Sequence, residues 1–492
     1  MGKLRLTKIS CVILMFFIAA AISAPAQTFT TLFNFDGSDG SDPAYTVLLQ
    51  GSDGNLYGTT YLDGANNAGT VFKITTEGTL TNLYNFCSQP NCADGWGPLE
   101  GLTEAPGGNF YGTTVGGGSS TACSSGCGTI FKITPNGTLT TLHTFSGTDG
   151  ASPTALTRAS DGYFYGDTAG GGTGVSCSVG CGTVFKISSG GALTTLHNFD
   201  FTDGYNPGAG LVQASDGNFY GTTIYGGNSV VCANYGCGTI FRITPVGVLT
   251  TLYDFCPGTN CADGSFPYGP LVQASNGNLY GTTYTGGSYE IGGTVFKMTT
   301  SGTLTTLHSF CSEFDCPDGK SPFTGLIQAT DGNLYGTTSY GGYGSGTMFL
   351  VTIGGVLATL HNFCSELGCI DGSGPGGLAQ ATNGTLYGST GAGGNSGGCT
   401  NGCGTVFSFS TGLNPFVETN PGSGKIGEIV TILGNNLTGT TRVTFNRTAA
   451  TFTVVSSSAI KATVPIGAST GIVEVTTPGG TLKSNTKFRV IF

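Results

Sequence analysis

The chain is poor in charge. Of 492 residues, 17 are Lys or Arg and 27 are Asp or Glu, 9% in all, against ~25% in an average soluble domain. The net charge is -10, and no basic stripe offsets it. A phosphate backbone would be repelled, which excludes nucleic acid as a partner. Beyond the N-terminus no stretch carries a 3.6-residue apolar period, which excludes a helical domain. No apolar run there is long enough to cross a bilayer as a helix. Tryptophan occurs once, and there are only four histidines.

What the chain has is glycine, 87 residues of it, and short runs of Val, Ile, Phe, Tyr and Thr between the glycines. That pattern reads as all-β. The N-terminus is a targeting segment. Lys3, Arg5 and Lys8 precede an apolar core from Cys11 to Ile22, and Ala24-Pro25-Ala26 fits a small-x-small cleavage pattern. Residues 1–26 are therefore expected to be a signal peptide, the competing reading being a retained anchor. The mature protein would be secreted or held at the cell surface, with no transmembrane segment after cleavage.

A Tyr-Gly pair recurs at Tyr57, Tyr111, Tyr165, Tyr220, Tyr280, Tyr335 and Tyr387, 52–60 residues apart. A period near 50 signals a propeller, solenoid or array. Each unit reads as four short strands, a to d. Asp-Gly or Asn-Gly joins a to b in most copies, as at Asp53-Gly54 and Asn276-Gly277, and such dipeptides favour tight hairpins. Strand d leads to the next a through DGxxP. The d-type string TFTTLFNF, Thr28 to Phe35, stands before the first unit, whereas the seventh unit ends at GTVFSFS without one. This offset predicts a seven-bladed β-propeller over residues 27–411. Its N-terminal strand would complete the last blade and hide an otherwise exposed edge. The d–a and b–c loops are the long, variable ones and would share one face; the a–b and c–d turns would form a plain face.

Cys11 falls in the signal segment, and the other 16 cysteines form eight close pairs, as expected of an exported disulfide protein. Four pairs follow strand d: Cys87 with Cys92, Cys256 with Cys261, Cys311 with Cys316, and Cys364 with Cys369. Four lie in b–c loops: Cys123 with Cys127, Cys177 with Cys181, Cys232 with Cys237, and Cys399 with Cys403. Pairs are complete or absent in every unit, so bonding within pairs is expected. Zinc held by two pairs is the alternative, and it needs a reducing setting.

Catalytic signals are weak. His143, His197, His308 and His361 share one strand-d position that is Phe33, Tyr84 or Tyr253 elsewhere, which reads as packing. Gly394 to Gly398 matches GxSxG without the helix of a nucleophile elbow. Glu100, Glu104 and Asp167 depart from their repeat equivalents and are the candidate acids for glycoside hydrolysis, which needs two carboxylates at a set separation. No metal or cofactor is expected, apart from Ca²⁺ at Asp36, Asp39 and Asp42 as a weak candidate. Better clues are the aromatic and basic residues that vary between repeats. Trp96, Tyr205, Phe266 and Lys320 occupy DGxxP, and Tyr61, Tyr225, Tyr284, Tyr340 and Tyr343 occupy b–c loops. They are the candidate contacts for a glycan or a protein.

Residues 412–492 lack cysteine and show short alternating runs between Gly, Pro and Asn turns, the pattern of a small β-sandwich. Ile429 to Gly434, Val443 to Asn446, Ala462 to Pro465 and Gly471 to Val475 make this segment resemble an IPT/TIG domain, an immunoglobulin-like module. GNLYGTT, GTVFKIT and GTLTTL make the repeats similar to the GloVer tandem-repeat family of exported bacterial proteins. That resemblance implies export and carries over no functional residue. The expected function is non-enzymatic binding of glycan or protein by the disulfide-stiffened face. The alternatives are a secreted polysaccharide hydrolase or lyase, and a structural or adhesive surface component.

Overall fold

The structure, a computed structural model, describes residues 27–491 apart from 175, 178, 179, 290, 343 and 366. The expected signal peptide and Tyr343 lie outside the described residues. The chain is all-β. Among the described residues the only helical elements are three short 3-10 turns, and no helix is long and apolar enough to cross a membrane.

The first repeat shows how each unit folds. Leu49–Gln50, Leu56–Thr60, Thr70–Ile74 and Leu80–Asn85 form one antiparallel sheet in chain order. Asp53-Gly54 turns the a–b hairpin with Gly54 at φ 87°. The Asp53 carboxylate accepts the Asn55 N–H at 3.1 Å and the Tyr57 hydroxyl at 2.9 Å. The tyrosine of the Tyr-Gly pair is thus a strut from strand b to its own turn, repeated by Tyr165 on Asp161, Tyr220 on Asp216 and Tyr335 on Asp331. The glycine is required by packing. A Cβ on Gly58 would sit 2.6 Å from the Phe72 ring of strand c. Strands b and c are buried on both faces, because the sheets stack against one another.

Among the described residues the repeats give seven such sheets, six of four strands and one of five. The displaced first strand, Thr28–Asn34, pairs with Thr405–Ser410, placing Thr31 opposite Phe407 and Phe33 opposite Val406. Seven apolar clusters join each sheet to the next. One of them gathers Phe35, Leu48, Leu56 and Phe72 of the chain's start with Ala381, Tyr387 and Val406 of its last repeat.

A second set of links runs along the first strands. The N–H of Ser52, Ser160, Ser215, Ser275, Thr330 and Thr382 donates to the side-chain oxygen of Glu104, Gln213, Gln273, Gln328, Gln380 and Gln50 respectively, each in the following unit. The bond from Thr382 to Gln50, 2.8 Å long, again ties the last unit to the first. The link is missing between the second and third units. There Pro106 lacks an N–H, and Arg158, which lacks an acceptor, stands in the place of Gln.

Among the described residues the C-terminal domain has two four-stranded sheets and a two-stranded parallel one that pairs Ser423–Lys425 with Arg489–Ile491. One of the two larger sheets contains Ile429–Leu433 and Ala459–Thr463, the other Arg442–Phe445 and Val473–Thr477. Val430, Ile432, Val443, Phe445, Ile460, Val475 and Phe488 fill the space between them. The domain meets the a–b turn side of the repeats. Asn420 donates to Glu104 Oε2 at 3.3 Å, Ser458 Oγ to the Ser52 carbonyl at 3.1 Å, and Phe416 N to the Thr382 carbonyl at 3.0 Å.

Candidate functional site

The long loops meet on the opposite side. In five units the DGxxP segment bridges the b–c loop of its own unit, through Ser41 and Leu62, Trp96 and Gly116, Tyr205 and Tyr225, Ser265 and Thr285, and Lys320 and Tyr340. All eight disulfides form within pairs, as expected. After strand d, Cys87 is bonded to Cys92, Cys256 to Cys261, Cys311 to Cys316, and Cys364 to Cys369. In the b–c loops, Cys123 is bonded to Cys127, Cys177 to Cys181, Cys232 to Cys237, and Cys399 to Cys403. Each bridge spans four or five residues, so each ties a loop to itself and none ties one loop to another. In the fourth unit, which carries both kinds of pair, the sulfurs of Cys232, Cys237, Cys256 and Cys261 lie within 4.8 Å of one another. Bonded as two disulfides, they offer no thiolate to a metal.

The histidines have a positional role that the sequence reading missed. His143, His197, His308 and His361 each place Nε2 2.7–2.9 Å from the DGxxP aspartate of their own turn. Tyr84 and Tyr253 donate their hydroxyls to Asp94 and Asp263 at the same place. His and Tyr interchange because each presents a hydrogen-bonding group to one carboxylate. In Asp149 burial pushes the carboxyl up, but its bonds from Ser146 and His143 outweigh that and hold it below the ordinary value.

Two adjoining cavities open among the loops. One, of about 800 Å³, is lined by Tyr45, Tyr284, Phe323 and Tyr340 together with Asp42, Asp63 and Thr324. The other, about 330 Å³, is lined by Tyr225, Tyr235, Phe266, Tyr268, Tyr284 and Thr285. Tyr284 belongs to both. The rings touch in series. Tyr205 lies 5.7 Å from Tyr225, and Tyr225 lies 5.6 Å from Phe266. The Tyr225 and Tyr268 hydroxyls are 3.3 Å apart. Tyr268 stacks on Phe323 at 4.8 Å and meets Tyr284 edge-on at 5.2 Å. Phe323 then meets Tyr45 at 5.6 Å, and Tyr45 meets Tyr61 at 5.9 Å. Burial, with neighbouring phenols or Asp42 adding to it, raises Tyr45, Tyr268 and Tyr284 above the ordinary phenol value. Their hydroxyls therefore stay protonated and able to donate.

Of the residues singled out from sequence, Tyr61, Tyr205, Tyr225, Phe266, Tyr284 and Tyr340 fall in or against this aromatic series. Lys320 sits beside it, bridged to Tyr340. Trp96 does not join it. Its indole N–H donates to the Ser125 carbonyl at 2.9 Å, and its ring lies over Gly116 of its own loop. Tyr45, Tyr268 and Phe323 were missed, although each follows the proline of DGxxP within two positions. An aromatic at that offset was the available signal.

The three departing acids split into two places. Asp167 is fully buried and Glu100 half-buried, and the Asp167 charge acts on Glu100. Burial pushes Asp167 up to about 7 and Glu100, with Asp167's help, up to about 8. Neither lines the aromatic cavities. Glu104 instead lines a cavity of about 450 Å³ between the first strands and the C-terminal domain, with Arg158, Gln50, Gln380 and Glu418. Burial raises Glu104; Glu418, which is exposed, faces the Glu104 charge. The aspartates considered for Ca²⁺ are also dispersed. Asp36 and Asp39 share an exposed turn, with Asp39 accepting the Asp36 N–H. Asp42, raised to about 6 by burial, faces the larger aromatic cavity. Among the described residues these three do not form a common ligand cluster.

The profile of the Gloeobacter/Verrucomicrobia repeat matches residues 20–176, 117–327 and 176–407, and that of the IPT/TIG domain matches residues 415–490. No curated protein matches the chain. Among solved structures, the chain is similar to the extracellular domain of a B. thetaiotaomicron chain named as a hybrid two component system, at 12% identity and a TM-score of 0.47. The likeness covers 94% of this chain and 57% of that one. PorZ, a surface component of the type-IX secretion system of Porphyromonas gingivalis, is similar at 15% identity and a TM-score of 0.45, over 94% of this chain and 60% of that one. The chain thus spans less than two-thirds of the length of either.

Proposed function

The chain belongs to the Gloeobacter/Verrucomicrobia repeat family and carries a C-terminal IPT/TIG domain, and from that premise we propose that it is an exported, non-enzymatic binding protein. On this reading the seven sheets are blades of a closed propeller, and Thr28–Asn34 completes the last. The pairing with Thr405–Ser410, the shared cluster around Phe35 and the Gln50 link support closure. The eight disulfides support an oxidising, extracytoplasmic setting. The C-terminal domain covers the turn side, which leaves the loop side for a partner.

The observation that carries the reading is the aromatic series from Tyr205 to Tyr61 across the two loop-side cavities. Flat rings with protonated hydroxyls at their edges suit a neutral glycan, since pyranose faces stack on aromatic rings and sugar hydroxyls pair with phenols. Among the described residues lining these cavities the only charged ones are Asp42 and Asp63. The reading is tested on a glycan array, followed by titration of any retained neutral glycan. Tyr284→Ala and Phe323→Ala are each expected to weaken binding about tenfold, roughly 1.4 kcal/mol, with Trp96→Ala near wild type. Wild-type affinity in both cavity variants would remove glycan from the site. Capture of a protein partner, lost with Tyr284→Ala, would make the ligand a protein. Release of reducing ends that is lost in Asp42→Asn or Asp63→Asn would replace binding by hydrolysis.

A further inference from the structure

The residue before the proline of DGxxP has a left-handed backbone in all seven copies, with φ between 53° and 63°. In six copies it is Asp42, Gly97, Ser152, Asn206, Ser321 or Gly374, a short side chain or none. In the fifth unit it is Phe266, at φ 58°. A bulky residue in that region is a strained outlier, and such strain is kept where a site needs it. Packing between the sheets does not explain it. Phe266 is half-buried, and the apolar clusters on either side of its sheet do not include it. Its backbone is pinned: its N–H donates to the Cys237 carbonyl at 2.9 Å, and its carbonyl accepts the Tyr284 N–H at 3.0 Å.

The strained residue supplies one wall of the smaller loop-side cavity. Tyr225 stands 5.6 Å from Phe266 at 67°, Tyr235 stands 5.9 Å from Tyr225 at 46°, and Tyr284 stands 5.2 Å from Tyr268 at 66°. Rings inclined in this way enclose a box, whereas Tyr268 on Phe323, toward the larger cavity, is a flat stack. Tyr235 lies inside the loop closed by the Cys232–Cys237 bridge, so a disulfide holds a second wall. The remaining lining residue is Thr285, and the described residues lining the box include no charged side chain.

We propose that this box binds the trimethylammonium group of a small cation of the choline type. Aromatic faces carry the negative lobe of the ring quadrupole and attract a cation within about 6 Å of the centroid. A primary ammonium or a metal ion would give up hydration that rings cannot replace. A quaternary ammonium has no N–H to satisfy, and its methyl groups pack against the rings. The net charge of -10 draws cations to the surface. Asp42 and Asp63 line the adjoining cavity, and among the described residues no Lys or Arg lines either cavity to receive a phosphate. A free cation is therefore expected rather than a phosphocholine headgroup. The inference adds a ligand to the smaller cavity and does not rest on the glycan reading.

The test is calorimetric titration of the full chain with choline chloride, and with its uncharged analogue in which a tert-butyl group replaces the trimethylammonium. The wild type is expected to bind choline with a Kd on the order of 10⁻⁴ M and the analogue about tenfold more weakly. Phe266→Asn installs the residue that Asn206 shows at the same φ. It should unfold at no lower urea than wild type and lose about tenfold in choline affinity. Tyr235→Ala removes an exposed ring and should also weaken choline, with Trp96→Ala at the wild-type value. Cosedimentation with phosphatidylcholine vesicles separates the sources. Retention that free choline competes away would place the group on a lipid, choline binding without retention would make the ligand a free solute, and both uphold the site. Absence of choline binding, equal binding of the uncharged analogue, or wild-type choline affinity in folded Phe266→Asn and Tyr235→Ala overturns the proposal. Glycan binding without choline binding would sink this inference alone, and choline binding without any glycan or protein ligand would sink the earlier reading alone.

Discussion

Phe35→Ala tests whether the chain's first strand is structural. Phe35 stands three residues after Leu32, as Phe86 stands three after Leu83 at the end of the first repeat's strand d. Both are fully buried. The Phe35 N–H donates to the Gly404 carbonyl at 3.1 Å, and that of Phe86 to the Gly69 carbonyl at 3.0 Å. Phe35 meets Phe72 edge-on at 5.4 Å, and Phe86 meets Phe131 at 5.2 Å. The two sites are copies of one environment, except that Phe35 reaches it across most of the sequence. Removing a buried Phe side chain costs about 3–5 kcal/mol through lost transfer energy and the cavity left behind. If Thr28–Asn34 joins the first and last sheets, Phe35→Ala should cost as much as Phe86→Ala, each within that range. The assay is urea unfolding of both variants and wild type under identical, disulfide-intact conditions. A Phe35→Ala cost below about 1 kcal/mol, beside a full cost for Phe86→Ala, would show that the terminal strand is peripheral. Closure of the repeats would then be wrong.

Three further outcomes follow from the geometry. Pro106→Ser with Arg158→Gln should rebuild the missing inter-unit link, and in a double-mutant cycle the pair should exceed the sum of the single changes by about 0.5–1.5 kcal/mol; strict additivity would show that the two positions are not opposed. Glu104→Gln keeps an acceptor for Ser52 and removes the charge facing Glu418. Because burial raises the Glu104 carboxyl in the folded state, its ionisation costs stability as pH climbs above the ordinary value of 4.5, so the variant should unfold at higher urea than wild type at pH 8 and lose that advantage near pH 4; an advantage independent of pH would refute the charge account. Asp149 is held below 3.8, so its contribution is complete above that value and fades as pH falls through its folded-state value; His143→Phe, the residue type at Phe33, should move the acid-unfolding midpoint upward, and an unchanged midpoint would show that the His–Asp bond is idle.

The repeat architecture was legible because each unit states its turns and its packing separately. Asp53-Gly54 declares a hairpin whatever surrounds it, and the Tyr-Gly pair marks the same strand in each unit. The surplus d string at Thr28 pointed to a partner at Thr405–Ser410. Local cysteine pairs were legible because partners four or five residues apart, such as Cys123 with Cys127 and Cys87 with Cys92, leave little choice of bridge. The site was read less well. Trp96 drew notice as the only tryptophan, yet a neighbouring glycine, Gly116, gave its ring a place to lie in its own loop. Tyr45, Tyr268 and Phe323 went unnoticed because their units differ in the spacing after proline. Their contact with one another depends on units far apart in sequence, as Tyr45 on Phe323 shows. The histidines were legible as a repeated position but not as partners of the DGxxP aspartates. That bond forms across a turn whose length changes, six residues from His143 to Asp149 and ten from His308 to Asp318.

The departures from the repeat fall together, and their grouping has a physical reason. Glu100, Glu104, Pro106, Arg158 and Asp167 all lie in the second and third units; the positions of the last four elsewhere carry hydroxyl or amide groups, and that of Glu100 carries Thr, Ala or Gly. A chain of identical units would offer the C-terminal domain seven equivalent seats and no preferred one. Breaking the inter-unit link at Pro106 and Arg158 marks one joint. Glu104 beside it turns a second carboxylate oxygen to Asn420. Arg158 lies in the same cavity as Glu418 and feels the charge of Glu428. The C-terminal domain is thus offered a polar seat at one joint, where a uniform row of glutamines would leave its rotational setting undetermined. The same two units carry Glu100 and Asp167, whose charges act on one another. Restoring Gln at 104 and 158 with Ser at 106 should therefore leave the repeat domain as stable or more so while loosening the C-terminal domain. Limited proteolysis would detect this as faster cleavage near residues 411–415. Unchanged cleavage would show that the seat is set instead by the contacts of Ser458 and Phe416.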